Sequence, residues 1–154
     1  MTTKLTLAEL EAARDRELGV SGWHEITQEQ IGRFAEATGD HQWIHVDPKA
    51  AANGPFGTTV AHGYLTLSML PMLLSEVVSV SDAVMGVNYG TEKIRFTSPV
   101  PSGSRVRLHA KLVRAERRGP SVVWTVGVQI EVEGQEKPAL VGEVVYMAAG
   151  APPA

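Results

Sequence analysis

Leu65-Thr66-Leu67-Ser68-Met69-Leu70-Pro71-Met72-Leu73-Leu74-Ser75-Glu76-Val77-Val78 is the stretch that decides the fold of this chain. Its apolar residues fall on nearly every face of a helix. The helix predicted over residues 61–78 therefore has to be buried on most sides. Pro71 lies inside it and should kink it or mark a break, because proline lacks the N–H and clashes with the preceding turn. The region approaches the ~20 residues of a membrane span. It also contains His62, Thr66, Ser68, Pro71, Ser75 and Glu76, so a buried core helix is the reading.

Downstream, the hydrophobic period changes from that of a helix to that of a strand. Val106, Leu108, Ala110 and Leu112 alternate with Arg105, Arg107, His109 and Lys111. Val122, Trp124, Val126, Val128, Ile130 and Val132 alternate with Ser121, Thr125, Gln129 and Glu131. Such alternation marks half-buried antiparallel strands. Residues 84–89 and 93–96 read as strands flanking Gly90, and residues 140–147 as the last strand. Arg118-Gly119-Pro120 and Glu133-Gly134-Gln135 are turns.

Upstream, the chain reads as helical. A short helix over about the first fifteen residues places Leu7, Leu10 and Ala13 on one side, and an extended stretch over 19–25 contains Trp23. Thr27 to Gln30 fits a capping box, Ile31, Phe34, Ala35 and Thr38 follow at helical spacing, and Gly39 is a left-handed stop. Asp47-Pro48 starts another helix, which Asn53-Gly54-Pro55 closes. The whole is one α+β domain over 1–154, with 1–18 a helical extension and 149–154 a frayed tail. An antiparallel sheet wrapped round one central helix, as in the hot-dog fold, meets the burial demand. It leaves a sheet edge uncovered, which a second copy of the chain is expected to pair.

Composition narrows the function. Over 154 residues, 44% are hydrophobic and 20% charged, and the net charge of −3 argues against a nucleic-acid partner. The arginine groups Arg105/Arg107 and Arg114/Arg117/Arg118 read first as a solvated strand face, with a phosphate-rich cofactor tail as the alternative. There is no cysteine, which excludes thiol nucleophiles and Cys-ligated metals. Residues 1–16 lack the basic start, apolar stretch and cleavage site of a signal peptide, so a cytoplasmic location is expected.

The chemistry centres on Ala37-Thr38-Gly39-Asp40-His41-Gln42-Trp43-Ile44-His45. After the helix stop, Asp40 and His45 sit on a segment expected to be irregular, where catalytic groups tend to lie. Asp40 alone also suits a turn, and His45 alone suits a packed imidazole. His41 and His45 have a helical metal spacing, but Gly39 and Pro48 oppose helix there and no third ligand is evident, so no metal is expected. Thr58-Thr59-Val60-Ala61-His62-Gly63-Tyr64 opens the central helix, whose free N–H groups favour negative charge. Gly63 there either admits a substrate carbonyl or permits tight packing.

Gly39-Asp40-His41-Gln42-Trp43-Ile44-His45 with Ala50, then Ala61-His62-Gly63, then Asn88-Tyr89-Gly90, Arg95-Phe96 and Pro99-Val100 together resemble the MaoC-like dehydratase family. That family includes the (R)-specific enoyl-CoA hydratases, and the similarity spans roughly residues 20–148. The family's usual segment is Gly-Asp-x-Asn-Pro-aliphatic-His. Gln42 and Trp43 replace its Asn and Pro, as in a subgroup related to nodulation protein N.

The resemblance implies a homodimeric hot-dog enzyme that reversibly hydrates trans-2-enoyl thioesters to (R)-3-hydroxyacyl thioesters. Asp40 and His45 are its implied dyad on water, and the Gly63 N–H its implied oxyanion donor. His62, Trp43, Asn88 and Tyr89 are expected to line the substrate site, with Trp43 a lid or a loop anchor. No cofactor or metal is implied; coenzyme A or acyl carrier protein is the substrate's handle. A hot-dog thioesterase and a non-catalytic acyl-thioester-binding module are the rival functions.

Overall fold

The computed structural model describes residues 2–152. Elements run in the order β1 (Thr3–Leu5), α1 (Leu7–Ala12), β2 (Arg16–Val20), β3 (His24–Glu25), α2 (Gln28–Thr38), α3 (Trp43–Val46) and α4 (Pro48–Ala52). There follow α5 (Gly63–Ser68), α6 (Leu70–Ser75), β4 (Val78–Val80), β5 (Met85–Phe96), β6 (Arg105–Arg118), β7 (Ser121–Val132) and β8 (Leu140–Ala149). The large sheet has the order β2-β6-β7-β8-β5, with β3 also on β6, and every pairing in it is antiparallel.

The sheet curls round α5–α6. Leu65, Leu70, Leu73 and Leu74 are buried against Val106, Leu108, Leu112, Val126 and Ile130, each fully buried leucine contributing about 1.5–3 kcal/mol. This is the hot-dog arrangement. The central helix is broken where proline was expected to act: α5 ends at Ser68, Met69 forms the joint, and Pro71 sits in the first turn of α6, where its missing N–H costs nothing. One side stays exposed at Tyr64 and Met72.

The N-terminal segment is not a helical extension. β1 pairs in parallel with β4, and Leu5, Leu7, Leu10 and Leu18 all belong to the core. Only residues 7–12 are helical, held by a capping box between Thr6 and Glu9. On α2 the Thr27 hydroxyl accepts from the Gln30 N–H, which satisfies one of the two bonds of such a box. At the C-terminus β8 runs to Ala149, which is buried, and 151–152 have no regular structure. The rest of the expected tail, residues 153–154, lies outside the described residues.

β5 is a single strand rather than two, with register shifts at Asn88/Gly90 and at Glu92/Arg95. Bulges let it pass Gly90 without stopping. It is the edge strand next to β8, and Met85, Tyr89 and Phe96 on it are exposed. The arginines of β6 form the solvated strand face. Arg105 pairs with Glu133, Arg107 with Glu131, Arg114 with Glu92, Arg117 with Glu11 and Arg118 with Glu116. Those guanidiniums are already committed to carboxylates, which leaves little there for a phosphate tail.

Candidate active site

Gly39 ends α2 in the left-handed conformation, φ 83°, and turns the chain out at Asp40. The next segment is not irregular throughout: Trp43–Val46 forms the single helical turn α3. It is fused to α4 through Asp47, whose carboxylate accepts the Lys49 and Ala50 N–H groups at 3.1 Å each. One turn carries no hydrophobic period, so the pattern could not announce it.

His45 projects inward from this turn and is buried. Its Nδ1 lies 2.7 Å from the Val60 carbonyl oxygen. A carbonyl only accepts, so Nδ1 carries the proton, and in the neutral ring Nε2 keeps its lone pair. The Val60 N–H returns a bond to the Ile44 carbonyl at 3.0 Å. From the other side the Gln28 amide donates to the His45 carbonyl at 2.8 Å and accepts from the buried Thr59 hydroxyl at 2.5 Å. Ala61 N–H in turn bonds the Val100 carbonyl at 2.8 Å, tying this segment to the end of the sheet.

Asp40 is exposed, and its Oδ1 accepts the Gln42 N–H at 3.3 Å, a turn that steers the carboxylate. Behind it, His62 Nε2 donates to the Asp40 carbonyl oxygen at 2.9 Å. The His62 ring stacks on His45, centroids 3.9 Å apart and planes 22° apart, with Phe34 at 4.9 Å on the His62 ring. Asp40, His45 and His62 each bring one oxygen or nitrogen within 4.8 Å of the others. A carboxylate oxygen and an imidazole nitrogen are thus brought close together at the head of α3.

That trio joins His45 with Asp40 and His62 and leaves out His41, which instead lies 3.9 Å from Glu36. The stack opposes coordination. Each ring spends one nitrogen on a carbonyl, and the two rings are held nearly parallel. A bound zinc would need the one remaining nitrogen of each ring to converge on a point about 2.0–2.1 Å from both.

Gly63 opens α5 beside this cluster, in the turn whose N–H groups have no partner within the helix. It lines a largely apolar cavity of about 330 Å³ with Ile44, Val60, Ala61, Phe56 and Phe96. A Cβ at Gly63 would stand 2.9 Å from Phe96 Cγ. Tight packing is therefore one reason for glycine here, and the open side toward the cavity leaves room for a carbonyl.

The other expected site residues fall elsewhere. Trp43 packs against Gly54, where a Cβ would meet the indole at 2.8 Å, a contact that suits an anchor for the α3–α4 turn. Asn88 lines a cavity of about 350 Å³ with Pro71, Leu74, Trp124 and Tyr146, farther along the helix. Tyr89 shares an adjoining cavity of about 370 Å³ with Asn88, Leu67 and Ser68. Neither joins Asp40 and His45 within one chain. In the first of these cavities burial pushes the Tyr146 phenol up to about 12. His62, by contrast, stays with Asp40 and His45 and is only 2% exposed. Gln28, Thr59 and Phe96 are the residues that sequence reasoning did not place here.

Residues 9–134 match the MaoC-like domain. The 3-hydroxyacyl-thioester dehydratase Z of Mycobacterium tuberculosis is 51% identical over 146 residues, 94% of this chain and 97% of that protein. Nodulation protein N of Rhizobium leguminosarum bv. viciae is 46% identical over 89% of this chain and 87% of its own length. Among solved structures, the (R)-hydratase from A. caviae involved in PHA biosynthesis superposes with a TM-score of 0.70 at 23% identity, over 91% of this chain and all of that one. At that identity the superposition speaks for the fold. Fold, motif order and the extent of these matches agree, and the chain belongs to the MaoC-like dehydratase family.

Proposed function

We propose that this protein is a hydro-lyase that interconverts (R)-3-hydroxyacyl and trans-2-enoyl thioesters by addition and loss of water. The observation that carries the reading is the proximity, within 4.8 Å, of an Asp40 oxygen and a nitrogen of the His45 ring, whose tautomer is fixed by the Val60 carbonyl. Its similarity to a protein named 3-hydroxyacyl-thioester dehydratase supports the reaction class.

In the hydration direction one water is gripped by His45 Nε2 and an Asp40 oxygen. Its oxygen bonds to C3, the C2–C3 π electrons move onto the thioester as an enolate, and the dyad holds the released proton. The same proton then passes to C2, which restores the thioester. Such acid–base assistance is typically worth about 10²–10⁴ in rate. The enolate oxygen is assigned to the Gly63 N–H, where the helix start favours negative charge. Coenzyme A or acyl carrier protein carries the acyl chain, with no redox cofactor or metal. A second copy of the chain covers the β5 edge, and the cytoplasm is the assigned compartment. No helix among the described residues is long and apolar enough to cross a membrane.

Loss of the enoyl absorbance of crotonyl-CoA and longer enoyl-CoAs, with chiral analysis of the alcohol, tests the reaction. Asp40→Asn and His45→Ala should each lower turnover at least about a hundredfold with the fold intact. An Asp40→Asn protein of nearly normal activity defeats the dyad.

A further inference from the structure

We infer that His62 is a positioning residue that sets the gap between Asp40 and His45; this rests on the dyad reading above. Three contacts converge on one buried ring. Its Nε2–H holds the Asp40 main-chain carbonyl at 2.9 Å, its face lies against His45 at 3.9 Å, and Phe34 packs on it at 4.9 Å. The two halves of the dyad come from opposite ends of the 40–45 segment, and no hydrogen bond between their side chains is present among the described residues. His62 is the side chain that touches both residues at once. It lies directly before Gly63, so the same ring also relates the dyad to the start of α5.

The two nitrogens of His62 are not equivalent. Nε2 spends its proton on Asp40, whereas Nδ1 is buried and meets no partner among the described residues. A side chain kept only to fill space would need neither nitrogen, and an apolar group of similar size would avoid burying an unpaired polar atom. The arrangement accepts an unpaired Nδ1 and keeps the Nε2 bond. What the ring supplies is a donor at that one point, on a plane stiff enough to brace His45. Asp40 is exposed and follows a left-handed glycine, so without that donor its loop is free to shift relative to the buried imidazole. A displacement near 1 Å costs roughly a hundredfold in rate.

The amide of glutamine places an N–H near the position of Nε2, while that of asparagine reaches only as far as Nδ1. Steady-state hydration of crotonyl-CoA by His62→Gln, His62→Asn and His62→Leu therefore separates bracing from packing. His62→Gln should keep kcat within about threefold of the parent, while His62→Asn and His62→Leu lose about ten- to a hundredfold, with KM changed less than about twofold in all three. A packing role predicts the reverse order, with leucine mildest. A glutamine variant no better than asparagine, or a leucine variant with parental kcat, overturns the assignment. Should the leucine variant not fold, the glutamine–asparagine pair decides. Crystals of His62→Asn and His62→Gln give a readout independent of the reaction. The Asp40 carbonyl should move away from the His45 ring in the first and stay in the second. An unmoved carbonyl in the asparagine variant refutes the brace even if hydration is confirmed. A moved one with an active Asp40→Asn protein sinks the dyad and leaves the brace standing.

Discussion

Gly63→Ala tests whether the start of α5 presents a backbone donor whose position depends on Phe96. An added Cβ would lie 2.9 Å from Phe96 Cγ and 3.0 Å from both Cδ atoms. Carbon atoms in ordinary contact stand about 3.5–4.0 Å apart, so the ring or the helix start must yield by roughly 0.7 Å. Phe96 is 45% exposed and rests edge-on against Tyr64 at 5.7 Å, so it can give way only in part. A shift of the residue 63 N–H by even half of that distance degrades a hydrogen bond that has to form in the transition state. The expected loss in kcat is about a hundredfold, close to 2.7 kcal/mol. Removing the obstacle should remove the loss. In a double-mutant cycle on enoyl-CoA hydration, Gly63→Ala combined with Phe96→Ala should recover most of the activity of Phe96→Ala alone, a coupling of about 2 kcal/mol. A coupling below about 0.5 kcal/mol refutes the steric account. A Gly63→Ala protein with parental kcat refutes the donor itself.

Gln28→Leu leaves the buried Thr59 hydroxyl without its acceptor and the His45 carbonyl without its donor. The expected cost is about 1–3 kcal/mol, or roughly 3–10 °C in Tm by calorimetry; an unchanged Tm counts against the network. Glu131 is held below its ordinary value of 4.5 by hydrogen bonds from Arg107 and then His109. A depressed carboxylate stabilises the fold above its unfolded value and loses that contribution as pH falls through the folded one. The difference in urea midpoint between the parent and Glu131→Gln should therefore hold steady above pH 5 or so and close below about 4. A gap that widens on acidification contradicts the assigned pairing. The exposed β5 edge predicts a dimeric mass by light scattering at micromolar concentration, and a monomer there removes the proposed pairing.

Most of the fold could be read because burial imposes a period. β6 and β7 alternate in the sequence as they alternate in the sheet, and Leu65, Leu70, Leu73 and Leu74 occupy the core expected of them. β1 and β4 escaped because three residues are too few to show alternation, although Thr6 and Glu9 do spell a capping box. Gly90 looked like a strand end and is instead passed by a bulge. At the candidate site, Asp40 and His45 were legible as side-chain chemistry after a helix stop, and Gly63 as a backbone position at a helix start. What aligns them was not. Val60 supplies a carbonyl, which every residue possesses, and Gln28 reaches the His45 main chain rather than a recognisable partner. Asn88 and Tyr89 shared a motif with Arg95 and Phe96 but sit beyond the bulge, along another part of the helix.

The same placement favours the proposed hydration over thioester cleavage. A hot-dog thioesterase usually places its carboxylate on the central helix, where it attacks the thioester carbonyl or activates water against it. Gly63 to Ser75 contains no acidic residue. The first is Glu76, and it is occupied: His24 Nε2 lies 2.5 Å from Oε1, and the Gly22 N–H donates to Oε2 at 2.9 Å. It stands just past the far end of α6, at the opposite end of the central helix from Gly63. The acid that remains near Gly63 is Asp40, paired with an imidazole and set before the helix. In the proposed mechanism, with the thioester oxygen at the Gly63 N–H, water held by that pair would be directed to the conjugated carbon. Saturated acyl-CoA should accordingly release no thiol above background in a chromogenic thiol assay, under conditions where enoyl-CoA is hydrated. Thiol release at a rate comparable to hydration would mean that the water is aimed at the carbonyl carbon, and that the two acceptors serve a different bond.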